Sequence, residues 1–285
     1  MDISLTSGVR AALTSIQQTN AAAQEAQLHL ATGKKVNSAL DNPSNYFTAS
    51  ALSGRANDLS RIQDSIGQAV KTLDAASNGI SSISKLVETA QSLANQALDT
   101  TDTATRTKLQ TQYNQVRTQI DELAKDSGYN GVNLVKGTPD NLTVIFNEKT
   151  GAAQSKLAIT GAALDSAGLA VSDAATLDTG TNGAGWAHAT NGTTNINASL
   201  TELSAALTTL RTQASTFGAN LTVVKNRQEF TASMINTLKT GADQLVLADS
   251  NEEGANLLAL NTRGQLAQTA LQLAAQRDQA VLRLF

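Results

Sequence analysis

The sequence predicts a mainly α protein: a long α-helical coiled-coil bundle drawn from both chain ends, with a small β-rich hairpin region in the middle. Three observations carry this reading. The chain has 285 residues, of which only 5 are Phe, 3 Tyr and 1 Trp. A globular core usually leans on aromatic anchors that bury about 150–250 Å² each. With so few, burial must come from many small Ala, Leu, Ile and Val contacts, which long helices packed side by side supply. Second, apolar residues recur at alternating spacings of three and four over many turns. Third, ten of the 19 glycines lie between Gly128 and Gly192, where that period is lost.

The elements follow in chain order. Leu5, Val9, Ala12, Ile16, Thr19, Ala23, Ala26 and Leu30 hold the spacing of one helix, which stops at Gly33. Asn42-Pro43 then marks a new helix start, because Asn accepts from free backbone N–H groups and Pro suits the first helical position. From Leu59 the stripe runs through Ile62, Ile66, Ala69, Leu73, Ala76, Ile80, Ile83, Val87, Ala90 and Ala94 to Ala97, twelve successive positions without a miss. At 1.5 Å per residue that stripe alone is roughly 57 Å long, the signature of a coiled-coil seam. The Asp- and Thr-rich cluster from Asp99 to Thr105 reads as a turn with capping residues. A shorter helix follows through Leu109, Tyr113, Val116, Ile120 and Leu123.

In the middle, 142–147 and 155–160 read as short strands, with Asn130-Gly131 and Thr150-Gly151 as turn signals. No Lys or Arg lies between Lys156 and Arg211. The Thr, Asn, Gly and Asp loops there are expected to face solvent, with Trp186 anchoring the β cap. A second long helix carries Leu200, Leu203, Leu207, Leu210, Ala214, Phe217, Leu221 and Val224, and continues less cleanly to Leu245. The last helix bears two stripes: Leu257, Leu260, Ala267, Leu271, Ala274 and Val281 on one side, and Leu266, Ala270, Leu273, Ala280 and Leu284 on the other. Two stripes need two partners. Residues 1–33 hold only Asp2, Arg10 and Glu25 as full charges, and 257–285 only Arg263, Arg277, Asp278 and Arg283. Neither terminal helix is expected to bury both its faces within one chain.

Composition sets aside several chemistries. With no Cys there is no thiol nucleophile, thiolate metal site or disulfide. His29 and His188 are the only histidines, and neither stands near a carboxylate partner in sequence, so no catalytic, metal or cofactor site is expected. Asp41, Glu252 and Glu253 read as polar caps rather than a carboxylate pair. A net charge of −3 is too balanced for a phosphate-backbone binder, so nucleic acid is not expected as a partner. No run of 18 apolar residues and no basic leader before an apolar segment occur, so neither a membrane span nor a cleaved secretory signal is expected. An amphipathic helix on a membrane surface is a different reading of the ends, but the Lys/Arg-rich polar face it needs is missing.

The stretch Leu30-Ala31-Thr32-Gly33-Lys34-Lys35-Val36-Asn37-Ser38-Ala39-Leu40-Asp41-Asn42 is similar to the L-S-S-G-x-R-I-N-S-A-x-D-D signature of bacterial flagellins. Asn130-Gly131-Val132-Asn133-Leu134, Lys225-Asn226-Arg227 and the closing run 276–285 also resemble that family, the last in its alphaproteobacterial form. The resemblance implies the following plan. Residues 1–33 and 257–285 form an inner core of the filament, mobile in the monomer. Residues 34–45 and 249–256 are connecting spokes, with Gly33, Asn37, Asp41 and Asn42 shaping the first. The outer domain comprises helices in 46–135, a β-rich variable region in 136–195 and a long helix in 196–248, short enough for a minimal, two-layered subunit. Assembly contacts fall on Leu5, Val9, Ile16, Leu30, Leu266, Leu271, Leu273, Val281, Leu284 and Phe285.

The same resemblance implies a secreted, extracellular filament subunit exported through a type III apparatus with a flagellar chaperone, and partnered by copies of itself and by hook-associated and cap proteins. A hook-filament junction protein shares this architecture and is the alternative. In flagellins sensed by Toll-like receptor 5, the first long helix carries Q-R-V-R-E-L-A-V-Q-S-A-N. Here Val87 replaces the central Arg and Thr89 the Leu, while Glu88 persists, so weak or no receptor activation is expected.

Overall fold

The computed structural model describes residues 7–176 and 185–282. Five helices dominate: α1 (Ser7–Thr32), α2 (Pro43–Leu98), α3 (Thr103–Asp126), α4 (Gly192–Val246) and α5 (Ser250–Leu282). Strands β1 (Leu142–Ile145) and β2 (Lys156–Ile159) form one antiparallel pair. The chain divides into two compact units, one of residues 57–235 and one of residues 1–56 with 236–285.

In the 57–235 unit the stripe of α2 does what its spacing requires. Of its twelve positions all are buried except Ile62, which is half-buried. Tyr113 and Ile120 of α3 and Leu203, Leu210, Phe217 and Val224 of α4 join the same apolar cluster. The helix ends are closed by side chains. Asn42 Oδ1 accepts from the Asn45 N–H at 3.0 Å, and Asp102 Oδ2 accepts from the Thr105 N–H at 2.8 Å, the capping geometry that satisfies first-turn donors.

Arg106 is a buried cation that sequence reasoning missed. Its Nε donates to the carbonyls of Ala97 at 3.1 Å and Thr100 at 2.7 Å, and a terminal nitrogen donates to Thr193 Oγ1 at 3.1 Å. It thereby satisfies acceptors left over where α2 ends and ties them to the start of α4. Asn133 does the same for α3: its Nδ2 donates to the Ala124 and Lys125 carbonyls, both at 2.8 Å.

The hairpin register pairs Leu142 with Ile159 and Val144 with Leu157. Val144 and Ile159 point into the cluster, as period-two alternation demands. The turn signals are confirmed at Asn130 and Gly131, with φ of 48° and 81°, and at Gly151, with φ of 65°.

Two expectations for the middle region are corrected. Residues 162–176 do not simply face solvent. Leu164, Leu169, Val171 and Ala174 are buried, and the segment is strapped to the helices. Asn114 Nδ2 donates to Asp173 Oδ1 at 2.8 Å, Arg117 Nε to the Val171 carbonyl at 2.9 Å, the Ser166 N–H to Asp121 Oδ1 at 2.7 Å and the Ser172 N–H to Glu202 Oε2 at 2.9 Å. Four contacts from α3 and α4 outweigh a polar composition. Nor is Trp186 the anchor of the β cap. It is fully buried in a short 3-10 turn, its ring 4.7 Å from that of Tyr113 on α3 and its Nε1 donating to Ser199 Oγ of α4 at 3.0 Å. His188 Nδ1 accepts from the N–H groups of Thr190 and Asn191 just ahead of α4, a capping role.

Candidate assembly surface

The second unit holds the two terminal helices. Here α1 packs along α5 in antiparallel fashion, with His29 beside Glu253 and Thr19 beside Gly264. The described α1 stripe turns toward this contact: Val9, Ala12, Ile16, Thr19, Ala23 and Leu30 are half-buried and Ala26 is buried. On α5 the two stripes separate. Leu257, Leu260, Ala267, Leu271 and Ala274 are half-buried, whereas Leu266 is 64 % exposed, Leu273 62 %, and Ala270 is exposed between them. Leu258 and, on α1, Leu28 and Leu13 add further open apolar surface.

The pair therefore lacks a core of its own. Among the described residues of α5 no side chain is buried, and on α1 only Ala26 is. An alanine is a poor substitute for the large side chains that stabilise the other unit, and two helices with one half-closed seam are marginal in water. Leu5, Leu284 and Phe285 lie outside the described residues, as does the side chain of Val281.

Sequence distance concealed one contact. His29 does have a carboxylate partner, because α1 and α5 bring its Nδ1 within 2.8 Å of Glu253 Oε1. The cleft around them is lined by Ala22, Glu25, Ala26, Asn256, Ala259, Leu260 and Arg263. The contact joins the last turn of α1 to the first turn of α5.

The loop between α1 and α2 is fixed by backbone bonds. Gly33 takes φ of 68°, which ends α1. The Lys35 and Val36 N–H groups donate to the Val246 carbonyl, and the Ala248 N–H to the Gly33 carbonyl. Asp41 Oδ2 accepts from the Asn37 N–H at 2.9 Å and the Ser38 N–H at 2.8 Å. Those two donors hold its carboxyl below the usual carboxylate range. Asn37 Nδ2 donates to the Lys34 carbonyl at 3.0 Å. Asp249 Oδ1 accepts from the Asn251 N–H at 2.8 Å, and α5 begins at Ser250.

In the 57–235 unit, Val87 is fully buried in the seam of α2 while Glu88 and Thr89 are exposed. Among the described residues no group of three or more His, Asp or Glu side chains could hold a metal ion, and no helix is long and apolar enough to cross a membrane.

Known proteins place this architecture. A family model described as the bacterial flagellin N-terminal helical region matches residues 3–140. Over 284 residues, 99 % of this chain and 98 % of each relative, the sequence is 30 % identical to flagellin FljN and 29 % identical to flagellin FljM of Caulobacter vibrioides. It is 28 % identical to a flagellin of Brucella melitensis over 96 % of this chain and 95 % of that one. The match runs through both terminal helices, the fixed loop and the strapped middle region alike, and on it the chain belongs to the flagellin family.

Proposed function

We propose that this chain is the structural subunit of an extracellular, helical flagellar filament, and that assembly proceeds through the terminal pair. The observation that carries the reading is that none of the described side chains of α5 is buried, beside an outward stripe of Leu266, Ala270 and Leu273. Such surface is stable in water only when another subunit covers it, so ordering of these helices and polymerisation are linked. A contact joining two different patches of one chain makes a helical filament when its repeated rotation does not close into a ring. The loop 33–42 and the turn 247–249 act as the connection to the outer domain, and residues 57–235 as its self-sufficient body. Export through a type III apparatus with a chaperone, and hook-associated and cap proteins at the filament ends, complete the proposed partner set.

Seeded polymerisation viewed by electron microscopy tests this. The intact chain is expected to extend filament seeds, and a chain lacking residues 276–285 to fail. Filaments from the shortened chain, or none from the intact one, would refute the role of the terminal helices.

A further inference from the structure

We infer that His29 and Glu253 are positioning residues for assembly: their contact selects which stripe of α5 turns to α1, and so which stripe is left to meet a neighbouring copy. This rests on the filament reading. The apolar residues do not make that choice by themselves. Between residues 266 and 274 the stripe facing α1 offers Ala267, Leu271 and Ala274, whereas the outward one offers Leu266, Ala270 and Leu273. There the outward stripe has the larger side chains, two leucines against one, and hydrophobic burial alone would draw it inward. Closer to the start of α5, Leu257 and Leu260 favour the observed face. The apolar content is thus divided between the two faces. Each outward residue precedes a covered one by a single position, so a turn of α5 by about 100° exchanges the stripes and leaves both helices intact.

The polar contact at the end of the pair does discriminate. The His29 and Glu253 side chains are only 14 % and 17 % exposed, better covered than most of the apolar residues around them. Among the described residues theirs is the one hydrogen bond between side chains of α1 and α5. An ionised carboxylate only accepts, so the imidazole Nδ1–H donates. Glu253 stands one turn before Leu257 and in series with it and Leu260, so it meets His29 only when that series faces α1. The exchanged arrangement would carry the carboxylate away from the imidazole. It would also set Arg263 where Gly264 now faces Thr19. A covered polar pair that is satisfied in one arrangement and broken in the other adds little net stability but separates the two sharply. Polar residues within a coiled-coil seam fix register in the same way.

Because the chain has no Cys, an engineered disulfide reports the face directly. In this pairing a Cβ at residue 264 would lie 3.9 Å from Thr19 Cγ2, within reach of a disulfide. Chains bearing both Thr19→Cys and Gly264→Cys are diluted into an excess of unmodified chain, polymerised on seeds and oxidised, so that any bond forms within one chain. Most of the cysteine chains should carry it. Adding His29→Leu should lower that share about fivefold and, in the chain without cysteines, raise the concentration needed for polymerisation about tenfold. His29→Asn, whose amide donates from the place of Nδ1, should restore both. A merely structural role predicts the reverse for His29→Leu, since leucine adds apolar area to the pair. Oxidation as complete in His29→Leu as in the parent, an unchanged threshold, no rescue by His29→Asn, or no disulfide in the parent background each overturns the inference. So does a lowered melt of the 57–235 unit in His29→Leu, which would mark a general loss of stability. All of these leave the filament reading standing, whereas failure of the unmodified chain to polymerise overturns both.

Discussion

Replacing Leu266 and Leu273 together by alanine separates what holds the subunit from what joins subunits. Both side chains are nearly two-thirds exposed, so truncating them removes little that the monomer buries. Full burial of a leucine is worth about 1.5–3 kcal/mol, and the exposed share scales that to about 1–2 kcal/mol gained per residue when a neighbour covers it. The pair then contributes about 2–4 kcal/mol to association, and at about 1.4 kcal/mol per tenfold its loss raises the critical concentration roughly 30- to 1,000-fold. The assay is the protein left in the supernatant after seeded polymerisation, read beside a thermal melt of the monomer by circular dichroism. The melt should be unchanged. As a control, Leu271→Ala cuts into the half-buried stripe facing α1 and should affect the pairing of α1 with α5 as well. An unchanged critical concentration for the double variant would refute the argument, as would a monomer melt lowered as much as that of Leu271→Ala.

Four further outcomes follow from the geometry. Arg106→Met should destabilise the 57–235 unit by about 2–3 kcal/mol, because the Ala97 and Thr100 carbonyls lose their donor; urea unfolding followed by Trp186 fluorescence measures it, and a loss below about 0.5 kcal/mol would contradict the capping role. Gly185→Ala should be more damaging than an ordinary surface change, since residue 185 has φ of 51° and a Cβ there collides with the Ala174 carbonyl oxygen; a melt equal to the parent's would refute this. Asp41, Asp102 and Asp140 are all held below the ordinary carboxylate range, chiefly by hydrogen bonds from Ser38, Thr105 and Asn133. Their folded state binds protons later than the unfolded one, so their stabilisation is present above about pH 4 and is lost as pH falls through the depressed values; melting temperatures that rise on acidification below pH 4 would contradict it. Purified monomer should stimulate a Toll-like receptor 5 reporter weakly or not at all, since Val87 is buried and only Glu88 and Thr89 are exposed; a strong response at low concentration would overturn that expectation.

The helical frame was legible because a coiled-coil seam writes itself into sequence. The α2 stripe, the Asn42-Pro43 start, the Asp102 turn and both strands were all readable from spacing and capping residues. What escaped was the chemistry that joins distant segments. Arg106 looks like any surface arginine until the carbonyls at the end of the preceding helix are placed around it. His29 and Glu253 stand 224 residues apart, and nothing local announces their pairing. The strap over α3 was misread because its Ser, Asp and Gly composition is that of a solvated loop. The signal that could have exposed it is the apolar content of the segment, with Leu164, Leu169 and Val171 falling within eight residues. On the terminal helices the double stripe of α5 was visible beforehand, but which stripe α1 covers depends on the antiparallel pairing, which only the fold supplies.

The central claim is that the terminal helices complete their burial in the polymer while residues 57–235 are complete without it. Hydrogen exchange, measured by mass spectrometry on monomer and on seeded filament, addresses it most directly. The account predicts fast exchange in peptides from residues 7–32 and 250–277 of the monomer and strong protection of the same peptides in the filament, with the seam of α2 from Ile66 to Ala97 equally protected in both. Terminal peptides exchanging at the same rate in the two states would contradict it.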